Sequence, residues 1–150
     1  MPRRELKHPR QVEDWLQEIS AQLTQPGRMI LIGSGALLWH AAQRGITEPL
    51  PESSMDVDPI TDSDEVARFC YDALIGTEFE RTHGWHVNLM PDSVLRELPA
   101  GWAGRAAKKQ YGFLEVTVPA PADLLVPKLK RGEPRDHAHA GWTKLVGLVI

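Results

Sequence analysis

The chain has 150 residues, a net charge of −3 and one cysteine, Cys70. This length suits one domain with its own hydrophobic core, so we predict a single domain over residues 1–150. The charge balance shows no strong basic patch for nucleic acid, and a lone cysteine without an internal disulfide is typical of a reducing cytoplasm. Residues 1–10 are basic, lack the apolar core of a signal peptide and are predicted to be flexible. No apolar run is long enough to span a membrane, so we expect a cytoplasmic protein.

The first half of the chain alternates helices, strands and turns. Apolar residues at helical spacing indicate one amphipathic helix, and a Gln-Pro-Gly sequence ends it. Pro59 donates no ladder hydrogen bond, so the strand that contains it is expected to be short. The predicted elements are a helix over 11–24, a strand over 28–32, a Gly33-Ser34-Gly35 turn, a helix to about Arg44, a loop over 46–52 and a strand over 53–60.

The second half is predicted from capping residues, alternation and glycine breaks. Its elements are a helix beginning within 61–64, a β-hairpin with arms at 78–82 and 85–90, a helical turn at 91–93, a strand over 111–118 and helices over 122–130 and 135–150. Gly101 and Gly104 leave residues 99–108 unassigned. The order predicts an α+β fold with some α/β character, a small mixed β-sheet flanked by helices. The apolar end, 145–150, must pack internally or form an oligomer contact, as in a homodimer.

Two short segments carry candidate chemistry. Asp56 and Asp58 are two residues apart on a predicted strand, so their carboxylates project from the same side. Two neighbouring carboxylates repel each other unless a cation lies between them, and Mg2+, or Mn2+ in its place, is bound by such oxygen ligands. The glycine turn at Gly33 and Ser34 offers free backbone N–H groups at a helix start, which suit a phosphate. Together they predict a metal–phosphate site.

Each segment has an ordinary alternative. The glycine turn could be a plain strand-to-helix connection, and paired acids are common on solvated strand ends. A dinucleotide-binding turn would need G-x-G-x-x-G, but Leu38 stands at the third glycine position. The motifs could also be coincidental in an unrelated small α/β domain. That hypothesis predicts that the two aspartates and Gly33 do not share a pocket.

In order along the chain, the Gly-Ser helix start and the Asp-x-Asp strand resemble the nucleotidyltransferase superfamily. The resemblance implies that Asp56 and Asp58 hold the metal bound to an incoming nucleoside triphosphate. It also implies that Gly33 and Ser34 hold the terminal phosphates.

A second resemblance, over roughly residues 28–140, is to short bacterial nucleotidyltransferase-like proteins related to the abortive-infection and toxin–antitoxin nucleotidyltransferases. It implies active-site roles for Lys128 and Asp136. Lys128 would neutralise charge on the phosphoryl group and help to bind the nucleotide, and its alternative is a place on a solvated basic helix end. The matching segments are 98–102, Arg105, 121–125, 128–129, Arg131 and 135–136.

The chain departs from the superfamily pattern at two positions. Asn88 stands where a third carboxylate is often found, with Glu115 as a candidate substitute, and His139 stands where relatives often have a second aspartate. Two hypotheses follow. The first is a metal-dependent nucleotidyltransferase acting on an unknown acceptor, which could be a protein, an RNA or a small molecule. The second is a catalytically silent binding or regulatory module of the antitoxin type.

Overall fold

The computed structural model describes residues 5–149, and within them it contains a five-stranded mixed sheet flanked by helices. The predicted α+β fold is therefore confirmed. The helices are α1 (Pro9–Gln22), α2 (Gly33–Gln43), α3 (Asp64–Tyr71), α4 (Glu78–His83), a 3-10 helix (Asp92–Glu97), α5 (Trp102–Arg105), α6 (Pro121–Arg131) and α7 (Pro134–Leu145). The strands are β1 (Gly27–Ile32), β2 (Asp56–Ile60), β3 (His86–Val87), β4 (Ala107–Tyr111) and β5 (Leu114–Val118), in the order β3-β2-β1-β5-β4.

Strand β1 lies at the centre of the sheet and sets its register. It pairs antiparallel with β2 and parallel with β5. Its residues alternate, so that Met29 and Leu31 are buried while Ile30 and Ile32 are only half-buried. The last residue, Ile32, lies opposite Asp58 on β2. The end of β1, where α2 begins, is therefore beside the aspartate pair.

Helix α2 packs behind the sheet and is apolar around most of its circumference. Eight consecutive residues after its first one, from Ser34 to Ala41, are buried, as expected for a helix enclosed on several sides. It contacts α1, α6, β1 and β2. The core thus forms on the α2 face of the sheet and fixes the position of the Gly-Ser turn.

The hairpin predicted over 78–90 is wrong. Residues Glu78–His83 form α4, which begins with the Thr77 side chain accepting a hydrogen bond from the Glu80 N–H. Gly84, with φ of 81°, ends the helix, and glycine adopts this left-handed conformation without a Cβ clash. The following β3 has only two residues and pairs in parallel with β2. Residues 78–83 therefore belong to a short helix and not to the arm of a hairpin.

The strand predicted over 111–118 is two strands. A turn at residues 112–113 separates β4 from β5, which pair antiparallel, and β4 together with α5 occupies most of the unassigned segment 99–108.

The final helix ends at Leu145, short of the predicted end. Gly147, with φ of 82°, and Leu148 turn back onto the last turn, and the Leu148 N–H donates to the Thr143 carbonyl at 2.8 Å. This is a Schellman-type ending that buries Leu148. Ile150 lies outside the described residues. No helix within 5–149 has the length and hydropathy needed to cross a membrane.

The described part of residues 1–10 packs against the rest of the fold, residues 1–4 lie outside the described range, and the flexibility of this segment stays a prediction. Leu6 is completely buried and forms a β-bridge with Ser54, whose N–H donates to the Leu6 carbonyl at 2.8 Å. Helix α1 already begins at Pro9. The strand predicted from residue 53 begins at Asp56 because Ser54 is used in this bridge.

We expect Leu6→Ala to lower the free energy of unfolding by about 2–4 kcal/mol, because it leaves a cavity in the core. Chemical denaturation followed by circular dichroism measures this. Leu145→Ala is the matched control, since this leucine is 80% exposed and its truncation should cost less than about 0.5 kcal/mol. Equal effects of the two substitutions would contradict the packing of residue 6.

Candidate functional site

The predicted site residues meet at one cavity of about 630 Å³ at the end of β1. Five of the six line it, and Asp136 is buried behind the wall. Because the two aspartates and Gly33 share this cavity, the prediction of the unrelated-domain hypothesis fails. The lining residues among the predicted six are Gly33, Ser34, Asp56, Asp58 and Lys128.

Gly33 is required by its backbone and by its neighbour. Its φ is 75°, in the left-handed region that residues with a Cβ rarely adopt, and a Cβ here would collide with the Asp58 Oδ2 atom. Helix α2 begins at this residue without a capping side chain from Ile32. The first N–H groups of the helix therefore have no hydrogen-bond partner from an N-cap side chain. They lie beside the carboxylates, and N–H groups of this kind bind anions at helix starts.

The two aspartates form an acidic pair that a cation would stabilise. Both are half-buried on the same side of β2. Burial, followed by the charge of Asp56, raises the pKa of Asp58 to about 7. A divalent cation between the carboxylates would offset both effects, because it favours the ionised form. The acidic pair therefore fits Mg2+ or Mn2+.

Asn88 reaches the acidic pair, whereas Glu115 does not. The Asn88 Nδ2 donates to the Asp58 Oδ1 at 3.3 Å. Glu115 lines a different cavity beside Arg28, so its prediction as a third carboxylate is wrong. Within residues 5–149 no cluster of three histidine, cysteine or carboxylate side chains is placed to hold a metal. An ion here would depend on two carboxylates, one amide, water and phosphate oxygens, a set that Mg2+ accepts.

Lys128 is not on a solvated helix end. Its side chain is 6% exposed and its Nζ lies 3.3 Å from the Asp136 Oδ1. Burial lowers the pKa of Lys128, although the Asp136 carboxylate opposes this effect. The Arg131 guanidinium donates to Asp136 at 2.7 Å and holds the pKa of that carboxyl well below its usual range. Asp136 therefore positions Lys128 and Arg131 from behind the cavity.

His139, which the sequence marked only as a departure, lies at the centre of this arrangement. Its Nε2 is 2.6 Å from the Glu52 carbonyl oxygen, which can only accept, so we assign the proton to Nε2. Its Nδ1 then accepts, facing Ser34 Oγ at 3.0 Å and Lys128 Nζ at 3.1 Å. Burial lowers the pKa of His139 to about 4, so the ring is neutral at pH 7. His139 thereby joins the Gly-Ser helix start to the lysine on α6.

Three more basic side chains line the cavity together with the acidic pair. They are the basic neighbours that made a solvated helix end the alternative for Lys128, and two of them, Arg131 and Arg135, belong to the segments that carry the family resemblance. The hydrogen bond to Asp136 raises the pKa of Arg131, and the charge of Asp58 adds a smaller contribution in the same direction. The cavity thus has an acidic part at the two aspartates and a basic part at the lysine and arginine side chains. These side chains are Lys130, Arg131 and Arg135.

Arg105, which belongs to the segments that carry the family resemblance, has a structural role. Its guanidinium donates twice to Asp123, at 2.9 and 3.0 Å. The pair joins the chain just before β4 to the first turn of α6, and neither residue lines the cavity. It therefore supports α6, which carries Lys128.

We expect Asp58→Asn to stabilise the metal-free protein at pH 8. The pKa of this carboxyl is raised from 3.8 to about 7 in the folded chain, so folding binds a proton between these values and stability falls as pH rises through them. Removing the charge should raise the free energy of unfolding by about 1 kcal/mol, a value already reduced for screening by water. This corresponds to a rise of ~3 °C in Tm. Thermal unfolding in EDTA at pH 4 and pH 8 measures this.

At pH 4 the gain should vanish, because the folded wild-type carboxyl is then already protonated. Glu48→Gln is the control, since this exposed loop carboxylate lies away from the cavity. A gain of the same size in both variants would show that net charge, and not the acidic pair, is responsible.

The sequence model of a family described as a nucleotidyltransferase of unknown function (DUF6036) matches residues 10–149, which include every residue of the cavity discussed above. No curated protein and no solved structure matches the chain. The chain belongs to this nucleotidyltransferase family.

Proposed function

We propose that this protein is a metal-dependent nucleotidyltransferase that moves a nucleotidyl group from a nucleoside triphosphate to an acceptor hydroxyl. One observation carries the proposal. A glycine-serine helix start, two facing carboxylates and a basic wall line the same cavity. Phosphoryl-group chemistry needs these three parts together, because catalysis depends on positioning and on charge stabilisation.

Asp56 and Asp58 would hold the metal, with Asn88 as a neutral third ligand. Mg2+ or Mn2+ bound there would align the α-phosphate and stabilise the charge that develops on it. One of the two carboxylates would also receive the acceptor proton as a general base.

The basic part of the cavity would hold the β- and γ-phosphates. The free N–H groups of Gly33 and Ser34 point from the start of α2, and Lys128 adds a buried positive charge. Arg131 and Arg135 line the same cavity and complement the charge of a triphosphate. His139 and Asp136 would act through Lys128, by holding its ammonium group in place.

The silent binding module remains a second candidate, and Asn88 favours it. The amide donates a hydrogen bond to Asp58 and so supplies no negative charge where superfamily members often have a third carboxylate. A chain with only two metal-binding carboxylates could keep nucleotide binding and lose turnover. A relation to toxin–antitoxin systems would fit this candidate as a regulatory or antitoxin-type protein.

We expect the double substitution Asp56→Asn/Asp58→Asn to abolish the Mg2+-dependent part of nucleoside triphosphate binding. Isothermal titration of Mg2+ together with each of the four triphosphates measures this, and affinity should fall at least roughly tenfold, because a divalent ion loses both anionic ligands. Glu48→Gln is the control for loss of negative charge. Unchanged affinity in the double variant would refute the metal site.

Asn88→Asp separates the two candidates. The added carboxylate should tighten Mg2+ binding roughly tenfold, because ligand charge governs affinity for hard cations. Pyrophosphate release from nucleoside triphosphates is the second readout. Mg2+-dependent release by the wild type supports the enzyme, and release by Asn88→Asp alone supports the silent module.

A further inference from the structure

The face of the sheet that carries Asp58 continues into a second cavity. Along β1, Ile30 shares this face with Ile32, and along β2, Ile60 shares it with Asp58. Ile30 and Ile60 line a cavity of about 460 Å³, and Met90 lines both cavities. We call this second space the sheet-face cavity. It lies next to the metal–phosphate site on the side away from Gly33.

The distance between the metal–phosphate site and the sheet-face cavity suits one ligand that extends across both. Two residues along a strand span about 7 Å, so Ile60 lies about that distance from Asp58. The base of a nucleotide is separated from its α-phosphate by one ribose. A nucleotide whose α-phosphate lies at the aspartates can therefore extend past Met90 into the sheet-face cavity.

The lining of the sheet-face cavity resembles that of a small-molecule pocket. Its apolar part comes from Ile30, Ile60 and Met90 on the sheet side, and from Leu95 and Trp102 on the two short helical segments. Trp102 is half-buried, with part of its side chain open to solvent. An apolar lining with one aromatic side chain and a few polar groups is typical of ligand cavities of this size. A planar base would cover apolar surface that the chain leaves exposed.

Glu115 supplies a polar group that lies near Arg28 but forms no ion pair with it. It lies on β5 opposite Arg28 in the parallel register. The Arg28 guanidinium donates instead to Asp62, at 3.2 and 2.8 Å. Within residues 5–149 the half-buried Glu115 side chain forms no salt bridge. Its carboxylate is therefore available to accept a hydrogen bond from a ligand.

We propose that the sheet-face cavity binds the nucleoside half of the triphosphate, with the base against Trp102 and its exocyclic amino group donating to Glu115. This inference rests on the proposed function. A carboxylate accepts from the amino group of cytosine and repels the carbonyl oxygen at the same position of uracil. Base stacking on an aromatic side chain adds affinity without selecting a base. The cavity therefore selects amino-bearing bases over uracil.

The charge of the cavity argues against a nucleic acid strand as its occupant. Its lining includes three carboxylates and two basic side chains, and one of the basic side chains, Arg28, is already paired. A strand would bring a phosphate with every nucleotide, and such a backbone needs a basic surface. A single nucleoside brings no charge of its own. The lining carboxylates are Asp62, Asp92 and Glu115, and the basic residues are Arg28 and Lys108.

The test compares CTP with UTP, which differ at the amino or carbonyl group that Glu115 would contact. Isothermal titration with Mg2+ gives the affinities of CTP, UTP and inorganic tripolyphosphate for the wild type, Glu115→Gln and Trp102→Ala. The wild type should bind CTP roughly tenfold more tightly than UTP. Glu115→Gln should bring this ratio close to one, because an amide can both donate and accept. Trp102→Ala should weaken the binding of both CTP and UTP.

Tripolyphosphate separates this inference from the proposed function. It occupies only the metal–phosphate site, so its affinity should stay unchanged in both variants, which also shows that they are folded. Glu18→Gln, an exposed change on α1, is the matched control for the loss of a carboxylate. Equal binding of CTP and UTP by the wild type, or an unchanged ratio in Glu115→Gln, overturns the inference alone. Absence of binding by all three ligands overturns the proposed function as well.

Discussion

The site depends on the antiparallel register of β1 and β2. This register places Ile32 opposite Asp58, so the backbone of Gly33 lies directly against a carboxylate. Only glycine fits there, because its φ is positive and a Cβ would occupy the position of a carboxylate oxygen. A shift of one residue would turn Asp56 and Asp58 to the other face of the sheet. The hydrophobic packing of α2 against β1 and β2 maintains the register and, with it, the site.

A second, buried set of contacts maintains the basic side of the cavity. Asp136 holds Lys128 and Arg131, and neutral His139 connects Lys128 to Ser34. Burying an ammonium group is costly unless its partners are placed well, and removing one partner leaves a charge unpaired. This set therefore links the packing of α6 and α7 to the position of the helix start. The basic and acidic sides of the cavity are fixed by different elements that meet only in the folded chain.

Both cavities lie along one face of the sheet, the face opposite the one on which α2 packs. The central strand leaves Ile30 and Ile32 half-buried on this face while Met29 and Leu31 are buried on the other. One face thus builds the core and the other offers apolar surface, with charged groups at both ends. The proposed phosphate-binding features gather at the Gly33 end, and the cavity with Glu115 and Trp102 lies towards Arg28. A sheet of five short strands can in this way hold an extended ligand along its strands.

The sequence by itself determined the features that depend on neighbouring residues. Helix α1, the β1–α2 turn and the shared side of Asp56 and Asp58 follow from local periodicity and glycine placement. The two-residue β3 could not be predicted because it exists only through pairing with β2, and the short α4 has too few residues to show a period. The role of His139 depends on contacts with Ser34, 105 residues away, and with Glu52. Only the tertiary structure decided that role, the burial of Lys128 and the position of Glu115, because these depend on how distant segments pack and not on local spacing.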